Sequence, residues 1–69
     1  MSRTLLHEHW GDDRNAKIFH VMDLQDHYEV DFYEQDILKE SRQMITDGVP
    51  HSERYAEDAA ENWCLGYIP

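Results

Sequence analysis

The sequence predicts an α+β fold in which a small antiparallel sheet packs against a C-terminal helix. The segment YEVDFYE alternates Tyr28, Val30 and Phe32 with acidic residues, which is the period of a strand with one buried side. The segment ERYAEDAAENWCL places apolar residues at helical spacing, and Ser52 before it is a good N-cap. Together these patterns predict a strand in the middle of the chain and a helix over residues 53–65.

The first part of the chain is predicted to hold an arm and a further strand. Residues 1–15 form the arm, which ends in the turn-like cluster GDDRN and carries Leu5, Leu6 and Trp10 as contacts to the body. β-Branched and aromatic residues in KIFHVMDL predict a strand over residues 17–24. The expected organisation is a single domain with an arm at 1–15, strands within 16–46 and a helix within 52–66.

The predicted helix has one apolar side and one acidic side. The apolar side is expected to pack on the sheet through five residues: Tyr55, Ala56, Ala59, Ala60 and Trp63. The outer side carries three carboxylates, which only Arg54 offsets: Glu57, Asp58 and Glu61. Gly66 is the expected stop, and Tyr67 with Ile68 is expected to fold back as a small apolar latch.

The segment QDILKESRQMITDG is compatible with either a helix or a strand. As a helix it would begin at Asp36, end at Gly48 and present one apolar side: Ile37, Leu38, Ser41, Met44 and Ile45. As a strand it would return beside the preceding one after a turn over residues 34–36. Its cations would then pair across the ladder with carboxylates, Lys39 and Arg42 with Asp31 and Glu29.

The charge balance narrows the classes of partner. The 69 residues include 15 acidic and six basic ones, for a formal net charge of −9. A phosphate backbone or an anionic membrane would be repelled, so direct binding to nucleic acid or membrane is not expected. A protein with a basic surface, such as one that normally holds DNA or RNA, is the complementary partner. Solubility is the alternative reason for the same charge.

The segment LHEHWGDD is the main candidate for a metal site. His7 and His9 fall on one side of an extended chain, and Asp12 or Asp13 could complete a ligand set. The spacing does not match the helical H-E-x-x-H motif, so no tight metal binding is expected there. The single cysteine, Cys64, is expected to be a half-buried helix residue. No catalytic, cofactor-binding or metal residue is therefore predicted, and no cofactor.

Two blocks of the chain, YEVDFYEQDILKESR and HSERYAEDAAENWCLGYI, carry a family resemblance. From Tyr28 to Ile68 the chain resembles small, largely uncharacterised acidic proteins of tailed bacteriophages. The resemblance implies that the first block is a β-hairpin whose return strand carries Arg42, although Glu-Gln-Asp stands where a turn glycine would be expected. It also implies a viral origin and a host-directed or accessory role, with no catalytic residue.

With the hairpin, the expected fold becomes a three-stranded antiparallel sheet with the C-terminal helix on one side. The expected function is that of a non-enzymatic, phage-encoded binding protein that acts in the host cytoplasm. It would inhibit or redirect a host protein by occupying a basic nucleic-acid-binding surface. The alternative is a viral structural or assembly protein that self-associates, so a homodimer stays open. Partner binding is expected on the outer side of the helix, or on the strand carboxylates: Glu57, Asp58, Glu61, Glu29 and Asp31.

Overall fold

The computed structural model describes residues 2–22 and 25–66. Their order is four long strands, two short strands and one helix. The bounds are β1 Ser2–Trp10, β2 Arg14–Met22, β3 His27–Glu34, β4 Ile37–Gln43, β5 Ile45–Thr46, β6 Val49–Pro50 and α1 Glu53–Cys64.

The first four strands form one antiparallel sheet in the order β1-β2-β3-β4. The predicted α+β class is correct, but the predicted count of three strands is wrong. The segment expected to be an arm is strand β1, which pairs with β2 from Ser2 opposite Met22 to Trp10 opposite Asn15. Its register shifts between Leu5 and His7, and this bulge interrupts the alternation by which a strand is recognised.

The predicted strand over residues 17–24 corresponds to β2, which begins earlier, at Arg14. Its predicted end at Leu24 lies outside the described residues, as does the latch proposed for Tyr67 and Ile68. β2 and β3 then pair over their lengths, with Ile18 opposite Val30. These two strands are the centre of the sheet.

The ambiguous segment forms strand β4, so the helical alternative is wrong. Gln35 and Asp36 make the turn with φ of 53° and 64°, the left-handed values that a two-residue hairpin of this type requires. The expected ion pairs across the ladder are also wrong. The register places Ser41 opposite Asp31, while Arg42 lies opposite Val30 and bonds to Glu40.

The predicted helix is present and begins where the sequence indicated. The Ser52 hydroxyl accepts a hydrogen bond from the Tyr55 backbone N–H at 3.3 Å, which is an N-cap. Gly66 follows the helix with a φ of 83°, a conformation that glycine adopts without strain. Tyr55 is the exception to the predicted apolar side, because it is 48% exposed and stacks on His51.

The hydrophobic core lies between α1 and one side of the sheet, here called the covered face. It consists of Ala16, Ile18, Val30, Phe32, Met44, Ala56, Ala60 and Trp63. The alanines let the helix approach the strands closely, and Trp63 fills the space at its end. The Trp63 indole lies 5.2 Å from the Phe32 ring, and its N–H donates to the Tyr33 carbonyl at 2.9 Å. This bond satisfies the polar end of the buried ring.

Candidate functional site

The opposite side of the sheet, the open face, carries the predicted site residues Glu29 and Asp31. Arg3 of β1 reaches both, with guanidinium-to-carboxylate distances of 3.1 Å to Glu29 and 3.2 Å to Asp31. Ser41 of β4 donates its hydroxyl to Asp31 at 2.6 Å. Asp31 is only 3% exposed. These carboxylates are therefore committed to an internal network and do not offer a free acidic surface.

The Arg3 side chain is held above the sheet by an aromatic ring. Its guanidinium lies 3.8 Å from the centre of the Phe19 ring, a cation–π contact. Burial by itself lowers the pKa of Arg3, but the hydrogen bonds to Asp31 and Glu29 outweigh it and raise that pKa. The guanidinium therefore stays charged, and it offsets one of the two carboxylate charges in the network.

His27 extends this network at the start of β3. Its Nδ1 lies 2.9 Å from the Gln25 carbonyl oxygen, and its Nε2 faces Glu29 at 3.5 Å. Nε2 is buried and makes no hydrogen bond among the described residues. The Glu29 carboxylate is close enough for an ion pair but does not have the geometry of a hydrogen bond. The imidazole is thus placed between a carbonyl and a carboxylate.

The other three predicted residues, expected on the outer side of α1, have different surroundings in the structure. Asp58 and Glu61 are exposed and form no ion pair within residues 2–22 and 25–66. Glu57 is half-buried and lies 3.4 Å from His7. Arg54, expected to offset them, is exposed and has no carboxylate in ion-pair distance among the described residues.

Further carboxylates gather where α1 ends, at a location that we call the acidic end: Asp12, Asp13, Glu34, Asp36 and the last turn of α1. The two hairpin turns meet there, because the Gln35 N–H donates to the Asp13 carbonyl at 2.8 Å. A hollow of about 300 Å³ separates the turns from the helix terminus; it is lined by Asp12, Asp13, Arg14, Glu34, Cys64, Leu65 and Gly66.

The electrostatic character of the acidic end comes from the helix as well as from its side chains. The last turn of α1 has no basic residue, so the negative end of the helix dipole adds to the carboxylates. Arg14 is present, but it pairs with Glu34 at 3.5 Å and lies over the Trp63 ring. From the sequence, Asp12 and Asp13 are expected in a turn and are candidate metal ligands. Because residues 2–10 form a strand that pairs with β2, the turn that carries Asp12 and Asp13 lies beside the helix terminus.

The two histidines of LHEHWGDD have separate surroundings. His7 Nε2 lies 2.9 Å from Glu53 Oε2 and 3.4 Å from Glu57 Oε1, both on α1. The backbone carbonyl of His9 accepts a hydrogen bond from the Cys64 thiol at 3.4 Å. Asp12 and Asp13 do not belong to the His7 group. The carboxylates that meet His7 are therefore ones that the sequence did not connect with it.

No family model matches the chain, and no match is found among curated proteins or solved structures. Within residues 2–22 and 25–66, no helix is both long and apolar enough to cross a membrane. Function is therefore inferred from the geometry and charge of the described residues.

Proposed function

We propose that this chain is a phage-encoded binding protein that acts in the host cytoplasm, docks on the basic surface of a host protein and inhibits or redirects it. The main support for this proposal is Glu61, in the last turn of α1, which has no ion-pair partner among the described residues. The acidic end lies at the same helix terminus. A basic nucleic-acid-binding surface would meet several carboxylates here, much as it meets phosphates.

The position of Glu61 is unfavourable for the isolated helix. A negative side chain at a helix C-terminus opposes the dipole, an effect of about 0.3–1 kcal/mol. Its i, i+4 neighbour is Glu57, and like charges at this spacing destabilise a helix by a further few tenths of a kcal/mol. Sequences that break such local rules do so most often at functional sites. A cationic partner would remove both penalties on binding.

A binding role also fits the surroundings of two potential nucleophiles, Ser52 and Cys64. The Ser52 hydroxyl caps α1. Burial raises the pKa of the Cys64 thiol above its ordinary 9.0, and a backbone hydrogen bond to Ala16 opposes this only in part. The thiol is therefore protonated and poorly nucleophilic at neutral pH. Both groups support the proposal that the protein is not an enzyme.

The test is capture of a partner by the immobilised chain in bacterial lysate, with two variants of equal charge change. Asp58→Lys with Glu61→Lys alters the proposed surface. Glu8→Lys with Glu40→Lys alters exposed carboxylates on the edge strands and is the matched control. We expect a captured protein with a basic surface, recovered less at high salt, lost by the first pair and retained by the second. Equal recovery by both pairs would show that the helix terminus is not the docking surface.

Self-association is the second candidate, because β4 is an edge strand with every residue exposed. Its two apolar residues, Ile37 and Leu38, could pair with another sheet edge. Lys39, Glu40 and Arg42 on the same strand discourage such pairing, as charges on natural edges do. Analytical ultracentrifugation separates the candidates: a concentration-dependent oligomer abolished by Leu38→Lys supports assembly, and a monomer supports host binding.

A further inference from the structure

We propose that His7, Glu53 and Glu57 form a binding site for a divalent first-row transition metal, with Zn²⁺ as the representative ion. The site joins strand β1 to helix α1. Its ligand atoms, one imidazole nitrogen and two carboxylate oxygens, all lie within 4.8 Å of one another. The proposal is independent of the docking function.

The backbone of β1 directs His7 toward the helix. Leu5 pairs with Phe19 of β2, whereas His7 pairs with its neighbour Ile18. Consecutive residues of a strand point to opposite faces, so the bulge between Leu5 and His7 moves the odd-numbered side chains that follow it from the open face to the covered face. Without the bulge, His7 would share the open face with Leu5. Bulges that re-aim a side chain in this way are common beside functional sites.

The distances between the ligand atoms suit a metal. His7 Nε2 is 2.9 Å from Glu53 Oε2 and 3.4 Å from Glu57 Oε1. Zinc bonds to nitrogen and oxygen are about 2.0–2.2 Å long, so neighbouring ligands of one ion lie about 3–3.5 Å apart. Little rearrangement would therefore bring the three atoms onto one cation.

A cation would also resolve an imbalance within the cluster. An Nε2 atom carries at most one proton, so His7 can donate to only one of the two carboxylates at a time. Glu53 and Glu57 are four residues apart on the same helix, where like charges repel. A divalent ion bonded to all three atoms would neutralise both carboxylates and use the imidazole lone pair.

The ligand set points to a class of metal. Imidazole suits zinc, nickel, copper and iron, whereas calcium and magnesium prefer oxygen ligands alone. The three side chains are 42%, 43% and 39% exposed, for His7, Glu53 and Glu57 in that order. Three protein ligands leave coordination positions open to solvent, so we expect affinity in the micromolar range and water in the remaining positions.

Metal binding should stabilise the folded chain, because its ligands are brought together only by folding. His7 and Glu53 are 46 residues apart in the sequence. A ligand that binds the native state and not the unfolded chain raises the midpoint of unfolding. The rise in the unfolding midpoint can therefore be compared between variants. Adventitious binding elsewhere on the surface would not depend on His7 and Glu57 in particular.

The experiment is calorimetric titration of the untagged full chain with ZnCl₂ at neutral pH, with thermal unfolding followed in parallel. His7→Ala and Glu57→Gln each remove one ligand. His9→Ala is the matched control, because His9 lies two residues further along the same strand, on the same face, and is not in the cluster. We expect one site per chain and a higher Tm with Zn²⁺ for the parent and His9→Ala. The two ligand variants should bind at least about tenfold more weakly.

Three outcomes would overturn the site. They are no binding by the parent chain up to millimolar zinc, equal binding by His7→Ala, and loss of binding in His9→Ala. Calcium serves as the second probe: if it binds as tightly as zinc and depends on Glu57 but not on His7, the cluster is a general acidic surface. Far-UV circular dichroism of each variant confirms that the fold is retained before its titration is interpreted.

Discussion

Asp31 and Phe32 are consecutive residues of β3, almost equally buried at 3% and 2% exposure, yet on opposite faces of the sheet. Phe32 lies on the covered face, under Trp63 and the helix. Asp31 lies on the open face, where no other element covers it among the described residues and the side chains of β1 and β4 enclose it. One strand thus achieves the same degree of burial by two different means.

The two faces depend on different interactions. The covered face is stabilised by apolar area removed from water, which is large in magnitude and not directional. The open face is stabilised by charge-assisted hydrogen bonds, which need correct geometry and contribute less per group because their charges were solvated in the unfolded chain. Substitutions on the covered face should therefore have the larger effects, and those on the open face should depend more on which atom is removed.

The largest effect is expected at Trp63. Trp63→Ala should lower the free energy of unfolding by about 3–5 kcal/mol, because it empties a buried aromatic position. It also leaves the Tyr33 carbonyl without its donor. Urea denaturation followed by circular dichroism measures the loss.

Trp10 provides the control for this substitution, because it is 67% exposed. Trp10→Ala should change stability by no more than about 0.5 kcal/mol. If the two variants unfold at the same denaturant concentration, the covered face is not the main source of stability.

A smaller loss is expected at Asp31. Asp31→Ala should reduce stability by about 1–3 kcal/mol, because the Ser41 hydroxyl loses its acceptor and the Arg3 guanidinium keeps only Glu29. Asp58→Ala is the matched control, since Asp58 is exposed and unpaired among the described residues. Equal stability of these two variants would mean that the open-face network contributes nothing.

Replacing Arg3 with lysine tests the geometry of the network while keeping its charge. A lysine ammonium cannot form the bidentate contact that the guanidinium makes with Asp31, and it stacks less well on Phe19. We expect a loss of about 1 kcal/mol or less, since Arg3 is partly exposed. Arg54→Lys, on the outer side of α1, should leave the unfolding midpoint unchanged. Unchanged stability of Arg3→Lys would mean that Arg3 contributes only its charge to the network.

The smallest effect concerns Cys64, at the end of the covered face. Burial raises the pKa of its thiol, so the folded chain resists deprotonation. The stability that comes from this shift is present below the ordinary thiol pKa of 9.0 and is lost as the pH rises through the folded value. Iodoacetamide should therefore alkylate the native chain more slowly than the urea-unfolded chain at about pH 8. Equal rates would show that the thiol is not protected.

Much of the fold was predictable because several elements have patterns that depend only on near neighbours. The alternation of Tyr28, Val30 and Phe32 identified β3, and Ser52 with the spaced alanines identified α1. β1 was missed because Leu5 and Leu6 are adjacent and the bulge after them disrupts the period. A pattern of period two cannot reveal a strand that changes face midway.

The site was less predictable than the fold because it depends on register and on distant elements. The helical period correctly places Asp58 and Glu61 outward, where they are exposed, and their role in partner binding stays a prediction. The alternation in β3 placed Asp31 on a solvent-exposed face, but no local pattern indicated that Arg3 would contact it. That contact requires β1 to be the neighbour of β2 with Arg3 opposite Val21. Nearness in the sequence likewise made Asp12 or Asp13 a possible ligand partner of His7, although the strand carries His7 away from the turn and toward Glu53.

The exposure of β4 has a consequence for local unfolding. Every residue of β4 is exposed, and α1 packs mainly on β2 and β3, so few apolar contacts oppose its detachment. Its amide hydrogens should exchange with deuterium before those of β2 and β3, since regions with few buried contacts open first. The segment that opens should end at the Gln35–Asp36 turn on one side and at buried Met44 on the other. The Met44 N–H donates to the Tyr28 carbonyl. When β4 opens, β3 becomes an edge, and a strand from another molecule could take the vacated position.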